Sequence, residues 1–155
     1  MQIIIQLFLA AILGGLLGLE REYQKRAAGL RTHSLVCLGS ALFTIISLES
    51  FYQGTAVVGI SFDPSRVISG IVLGVGFIGA GLIMHRGFKI EGLTTAAGIW
   101  VVAAIGVAVG LKLYFVAVFS AFLALAILSI LRLLEEKVFW EKEDGKTSNP
   151  IDKKS

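Results

Sequence analysis

Five stretches of this chain exclude charged side chains: Ile3 to Leu19, Thr32 to Leu48, Val67 to Met84, Leu93 to Leu111 and Leu113 to Leu131. Each is close to the ~20 residues that take an α-helix across the hydrocarbon core of a bilayer. The expected fold is therefore an all-α, polytopic transmembrane helix bundle with five spans. With 55% hydrophobic and 16% charged residues and a mean hydropathy of +0.83, the chain has too little polar surface for a soluble globule.

The charges between the stretches orient the bundle. If the amino terminus lies outside, the first, third and last polar segments are cytoplasmic and hold twelve of the 14 Lys and Arg residues, leaving Arg66 and Lys112 outside. That expectation places the carboxy terminus in the cytoplasm. The same distribution accounts for the net charge of +3 without nucleic acid. Met1 to Leu9 carries no positive charge and Glu20-Arg21 closes the first stretch, so that stretch reads as a retained helix rather than a signal peptide. The single cysteine, Cys37, lies within the second stretch and reads as a small buried hydrophobe.

Residues 1–134 form the expected transmembrane domain, and residues 135–155 a charged cytoplasmic tail that frays towards Gly145 to Pro150. Gln53 to Ser61 joins the second and third helices. Phe62-Asp63-Pro64-Ser65-Arg66 reads as a helix start, with Asp63 as cap and Pro64 at the first helical position. His85 to Gly92 joins the third and fourth helices, and Leu111-Lys112 forms a tight turn into the fifth. Shifting the chain by 63 positions sets Gly18-Leu19 on Gly81-Leu82, and Gly29-Leu30-x-Thr32 on Gly92-Leu93-x-Thr95. Helices one and two would then be a parallel repeat of helices three and four, with connections of matching length. The alternative is chance alignment of glycine-rich apolar sequence.

Three features bear on chemistry. Gly70, Gly74, Gly76, Gly79 and Gly81 crowd the third helix, and small-xxx-small spacings recur at Gly14/Gly18, Gly70/Gly74 and Gly106/Gly110. Such surfaces suit close helix packing or a dimer seam; the sharper reading is a third helix broken near mid-membrane, exposing carbonyls to an ion or substrate. Glu20, Arg21, Glu22, Arg31, Thr32 and His33 cluster at the junction of the first two helices. There the two carboxylates, at a helix carboxy terminus, need compensation from Arg21, Arg26 or Arg31. The cluster reads as an interfacial salt-bridge network or as a polar site at the mouth of the bundle; the spacing alone selects no metal. Glu49 and Arg66 fall in the same leaflet, where they either pair inside the bundle or snorkel separately. Thr32, Thr94 and Thr95 are expected to cap helices by their hydroxyls.

Ser-His-Asp arrangements, phosphate loops, paired cysteines and zinc-type histidine spacings are missing from the sequence, so no enzyme activity and no cofactor are expected. Gly74-x-Gly76-x-x-Gly79 matches a dinucleotide fingerprint only in letters, because it lies in a span with no preceding strand.

The motifs Gly18-Leu-Glu20-Arg21-Glu22, Ala28-Gly29-Leu30-Arg31-Thr32-His33, Asp63-Pro64-x-Arg66, Gly74-x-Gly76-Phe77-x-Gly79-Ala80-Gly81 and Gly92-Leu93-Thr94-Thr95-Ala96-Ala97 resemble those of the MgtC/SapB family of bacterial membrane proteins, over roughly Ala10 to Leu134. The resemblance implies a multi-pass protein of the bacterial cytoplasmic membrane, linked in its relatives to growth at low Mg²⁺, survival in host cells and restraint of the F-type ATP synthase. MgtC-like members also carry a soluble carboxy-terminal domain; this chain stops soon after helix five and is closer to the shorter, SapB-like form.

Two functional classes follow. The first is a non-enzymatic membrane protein that affects Mg²⁺ or membrane-energy homeostasis by binding another membrane protein, such as an ATP synthase subunit. The second is an ion transporter or channel, with a polar pathway in the bundle or in a homodimer. A passive assembly role is a third reading.

Overall fold

The computed structural model describes residues 1–52, 63–87 and 89–144. Five helices cross its described length: α1 (Gln2–Tyr23), α2 (Leu30–Tyr52), α3 (Pro64–Leu82), α4 (Leu93–Gly110) and α5 (Tyr114–Asp144). Each contains a segment long and apolar enough to cross a bilayer, and in α5 that segment ends at Arg132. The expected link at Gln53 to Ser61 and the tail beyond Asp144 lie outside the described residues. Up to Asp144 the segment read as tail continues α5.

α2 is the axis of the bundle. Gly14 and Gly18 of α1 approach it on one side, Gly106 and Gly110 of α4 on the other. A methyl group on Gly14 would lie 2.6 Å from both the Cys37 Cβ and the His33 carbonyl oxygen. One on Gly106 would collide with the Cys37 carbonyl, and one on Gly110 would lie 2.7 Å from the Thr44 Cβ. Without side chains at these positions three backbones come close enough for dispersion to hold them, which matters in lipid because burial of apolar surface gives no driving force there. Leu13, Leu17, Ala41, Val102, Ile105 and Val109 complete this core, and α5 contributes Ala117 and Ala121.

α3 is peripheral. Only 11% of its spanning segment is buried, against 50% for α4. Its buried positions are Val75, which joins a cluster with Ala28, Ile99 and Ala103, and Gly79. The helix runs unbroken through all five glycines, contrary to the broken-helix reading. Backbone groups freed by a break would find no water in the hydrocarbon core, a larger cost than the ~1 kcal/mol by which each glycine weakens a helix.

The ends are closed by specific hydrogen bonds. Asp63 caps α3, its Oδ1 accepting from the Ser65 amide at 2.9 Å, and Pro64 takes the first helical position as expected. α1 and α4 finish alike, each with a lysine in the left-handed conformation: Lys25 (φ 54°) and Lys112 (φ 63°). The Arg26 amide donates to Arg21 and the Lys25 amide to Glu22; the Leu113 and Lys112 amides donate to Ala108 and Val109. This is the Schellman closure, with a lysine where glycine is usual. At a helix carboxy terminus the cation partly offsets that strain.

Between α3 and α4 stands a short antiparallel hairpin, β1 (Met84–Arg86) and β2 (Lys89–Glu91), which adds a small β element to the helical bundle. The 63-residue shift aligns the starts of α2 and α4 at Leu30 and Leu93, but the connections differ: residues 24–29 lead into α2, whereas residues 83–92, hairpin included, lead into α4. The matched glycines also differ, since Gly18 is packed on Leu30 while Gly81 meets nothing within 4 Å.

Candidate functional site

The end of the bundle that carries the α1–α2 connection, the hairpin and the start of α4 gathers most of the expected polar residues. Arg21 is 3% exposed and forms an ion pair with its neighbour Glu20, its Nη2 donating to Glu20 Oε1 at 2.7 Å while Nε contacts Oε2. Gln24 Nε2 also donates to Glu20. Glu22 turns the other way: its Oε2 accepts from the Leu30 amide at 2.8 Å and so caps α2. Gly29 leaves the space this needs, because a methyl group there would lie 2.7 Å from Glu22 Oε2. Glu20 is thus compensated by arginine, as expected, whereas Glu22 is compensated by the positive end of the α2 dipole. The two carboxylates serve different partners. No group of three or more His, Cys, Asp or Glu side chains suited to a metal occurs among the described residues.

The threonine expectation is corrected here. Thr32 sits within the first turn of α2, whose leading amide is taken by Glu22. α4 begins at Gly92, which has φ 91° and makes no side-chain cap, with Thr94 and Thr95 inside the helix. Gly92 has a backbone reason to be glycine: its φ lies in the left-handed region, and a Cβ would collide with the Leu82 carbonyl. Thr95 is buried, Thr94 and Arg31 are exposed.

Sequence reasoning missed the residue at the centre. His33, expected only as a member of the polar cluster at the start of the second helix, is fully buried between α1 and α4. Its Nδ1 lies 3.0 Å from the Gly29 carbonyl oxygen, and its Nε2 has no partner among the described residues. The side of α2 it begins continues through Cys37, Ser40, Thr44 and Ser47, all buried. Thr44 Oγ1 returns its proton to the Ser40 carbonyl at 2.8 Å, while Ser47 Oγ is unpartnered. Three- and four-residue spacing of small polar side chains within an apolar span was the available signal. Gln6 of α1 was missed too. It is 1% exposed and donates to the Val109 carbonyl at 3.0 Å, adding a second hydrogen bond to an acceptor that already takes the Lys112 amide at the end of α4.

At the opposite end Asp63 is exposed at its cap, and hydrogen bonds from Ser65, side chain first and then amide, hold its carboxyl below the usual range. Glu49 is half-buried and Arg66 exposed. Among the described residues they form no ion pair with one another, so the paired reading gives way to separate boundary residues.

The glycines of α3 are brought to one another but to little else. A Cβ on Gly70, Gly74, Gly76 or Gly81 would meet nothing within 4 Å, and Gly79 makes only ordinary contact with Ala96. Gly70 and Gly74 form one wall of a groove of about 610 Å³ between α2 and α3, faced by Gly39, Ser40 and Phe43. Of the three small-xxx-small pairs, two are used inside the bundle; the third lies open.

Five apolar helices around a glycine-packed axis, with a charged cluster at one end, define a multi-pass membrane protein. The chain belongs to the MgtC family, whose model matches residues 7–137. It is 45% identical over 133 residues to the protein of Escherichia coli (strain K12) named "Putative magnesium transporter YhiD", covering 86% of this chain and 62% of that protein. It is 42% identical to Protein MgtC of Brucella abortus (strain 2308), covering 81% of this chain and 49% of that one. Protein SrpB of Synechococcus elongatus is 36% identical, with 89% and 79% covered. The chain therefore spans roughly half to four-fifths of these relatives. No solved structure matches it.

Proposed function

We propose that this is a non-enzymatic protein of the bacterial cytoplasmic membrane, amino terminus outside and carboxy terminus inside, that acts in Mg²⁺ or membrane-energy homeostasis by binding another membrane protein. The link to Mg²⁺ is supported by family membership and by the name of the Escherichia coli relative. The observation that carries the binding role is the open α2–α3 groove. Glycines that pack no helix of their own chain leave a backbone surface another helix can approach closely. A subunit of an ATP synthase is the partner that the family resemblance suggests.

The test fills the groove. Gly39→Leu and Gly74→Leu, expressed in a bacterium lacking its own copy of the gene, should abolish rescue of growth at low Mg²⁺ while leaving the thermal midpoint of the purified protein within a few degrees of wild type. Full rescue by folded variants would overturn the binding role.

The transporter reading is favoured by one observation, the buried polar side of α2 from His33 to Ser47 with two unpartnered atoms. Gly14 and Gly106 close on Cys37 midway, so a pathway there requires these helices to separate. Flux of Mg²⁺, protons or K⁺ into vesicles, present in wild type and lost in folded Glu20→Ala or Arg66→Ala, would establish it. Its absence with every ion would remove it.

A further inference from the structure

A second cavity of about 610 Å³ lies at the charged end of the bundle, enclosed by the α1–α2 connection, the end of α3, the hairpin and the first turn of α4. We propose that it binds a phosphate group, and that an anionic phospholipid headgroup presents it. Four observations carry this.

First, the cations are available. Glu20 is taken by Arg21 and Gln24, and Glu22 by the α2 amide, so neither neutralises Lys25 or Arg26, and both of these line the cavity. Lys25 and Arg26 are both exposed. Second, Lys25 and Arg26 are held in place. They occupy the closing positions of the Schellman turn, with both amides bonded back to α1, so two basic side chains leave one ordered turn on the cavity side. Third, the opposite wall is the start of α4, which has no side-chain cap, and the positive end of its dipole faces the same space. Fourth, the rim is amphipathic. Met84, Ile90 and Leu93 are about half exposed beside the basic residues, at the level where α1 and α3 end and α4 begins. That depth matches the headgroup region, where basic pockets between spans hold acidic lipids. Among the described residues Glu91 is the one carboxylate in the lining, and it opposes an anion.

The inference does not depend on the partner proposed above. The test uses the full chain in a zwitterionic detergent, titrated with short-chain phosphatidylglycerol, short-chain phosphatidylcholine or inorganic phosphate, with bound ligand read by native mass spectrometry and by the rise in thermal midpoint. Saturable binding of phosphatidylglycerol but not phosphatidylcholine is expected. It should weaken about 25-fold in Lys25→Gln/Arg26→Gln, since each of the two basic groups near a membrane surface is worth roughly fivefold. Arg31→Gln, which removes one basic charge at the same end but outside the cavity, should bind as wild type, and Glu91→Gln should bind more tightly. Should the double variant fail to fold, the Glu91→Gln gain against the Arg31→Gln control still decides. Inorganic phosphate binding as tightly as phosphatidylglycerol would keep the phosphate site and overturn the lipid as its source. Equal losses in Arg31→Gln and Lys25→Gln/Arg26→Gln, or no saturable binding of either phosphate compound, would overturn the site.

Discussion

Glu22 Oε2 accepts the Leu30 amide proton at 2.8 Å, so a carboxylate in the last turn of one span caps the next. At its own helix end it is an anion at the negative pole of a dipole; eight residues later in the chain it serves a positive one. The contact ties two spans together through the connection that also presents Lys25 and Arg26.

Removing that cap should loosen the connection without breaking the bundle. Glu22→Ala is expected to cost about 1 kcal/mol, the usual value of a lost cap, seen as a fall of about 2–4 °C in the thermal midpoint. Glu22→Gln, which keeps an acceptor, should lose less. An unchanged midpoint for Glu22→Ala would show that the capping bond contributes nothing.

The glycines divide into two groups that substitution should separate. Gly14→Ala and Gly106→Ala force a methyl against α2 and are expected to destabilise by about 1–3 kcal/mol each, the range for overpacking. Gly74→Ala enters open space and should leave the midpoint unchanged or slightly raised, because alanine favours the helix. Gly92→Ala is strained by its φ of 91° as well as by the Leu82 carbonyl, and should fall at least as far as Gly14→Ala. The same unfolding assay ranks all four.

Acid should act at Asp63. Its carboxyl is held below the ordinary range in the folded chain, so its contribution to stability is complete above the unfolded value and is lost as pH falls through the folded one. The midpoint of wild type should therefore drop more between neutral pH and pH 3 than that of Asp63→Asn, whose amide oxygen still caps α3 but does not titrate. Parallel curves for the two proteins would sink the assignment.

Cys37 is fully buried where Gly14 and Gly106 close on α2. Its thiol should resist maleimide in mild detergent and react only after denaturation in SDS. Rapid labelling of the folded protein would mean that the α1–α2–α4 seam opens, the movement the transporter reading requires.

The polar residues show where sequence reasoning stops. Asp63 and Pro64 were legible because a cap and a first-turn proline act within one turn of chain, and the Leu111-Lys112 turn for a similar reason. Glu22 was read as needing an arginine, yet its partner is an amide reached only when residues 24–29 fold back. The enclosure of Gln6 and His33 is completed by α4, whose contacting residues Val109 and Gly98 lie far along the chain, and for His33 also by Gly18 of α1.

By itself the sequence determined the number of spans, their approximate limits, the start of α3 and membership of a family, because bilayer thickness acts on each apolar stretch separately and motifs are read in order. Only the tertiary structure decided that Gly14, Gly18, Gly106 and Gly110 are packed while Gly70 and Gly74 stand open, that α3 runs unbroken, and that His33 rather than Glu49 or Arg66 is enclosed. The reason is that lipid tails are as apolar as the side chains they touch, so hydropathy does not mark the inward face of a span; shape complementarity between backbones does, and that exists only once the helices meet.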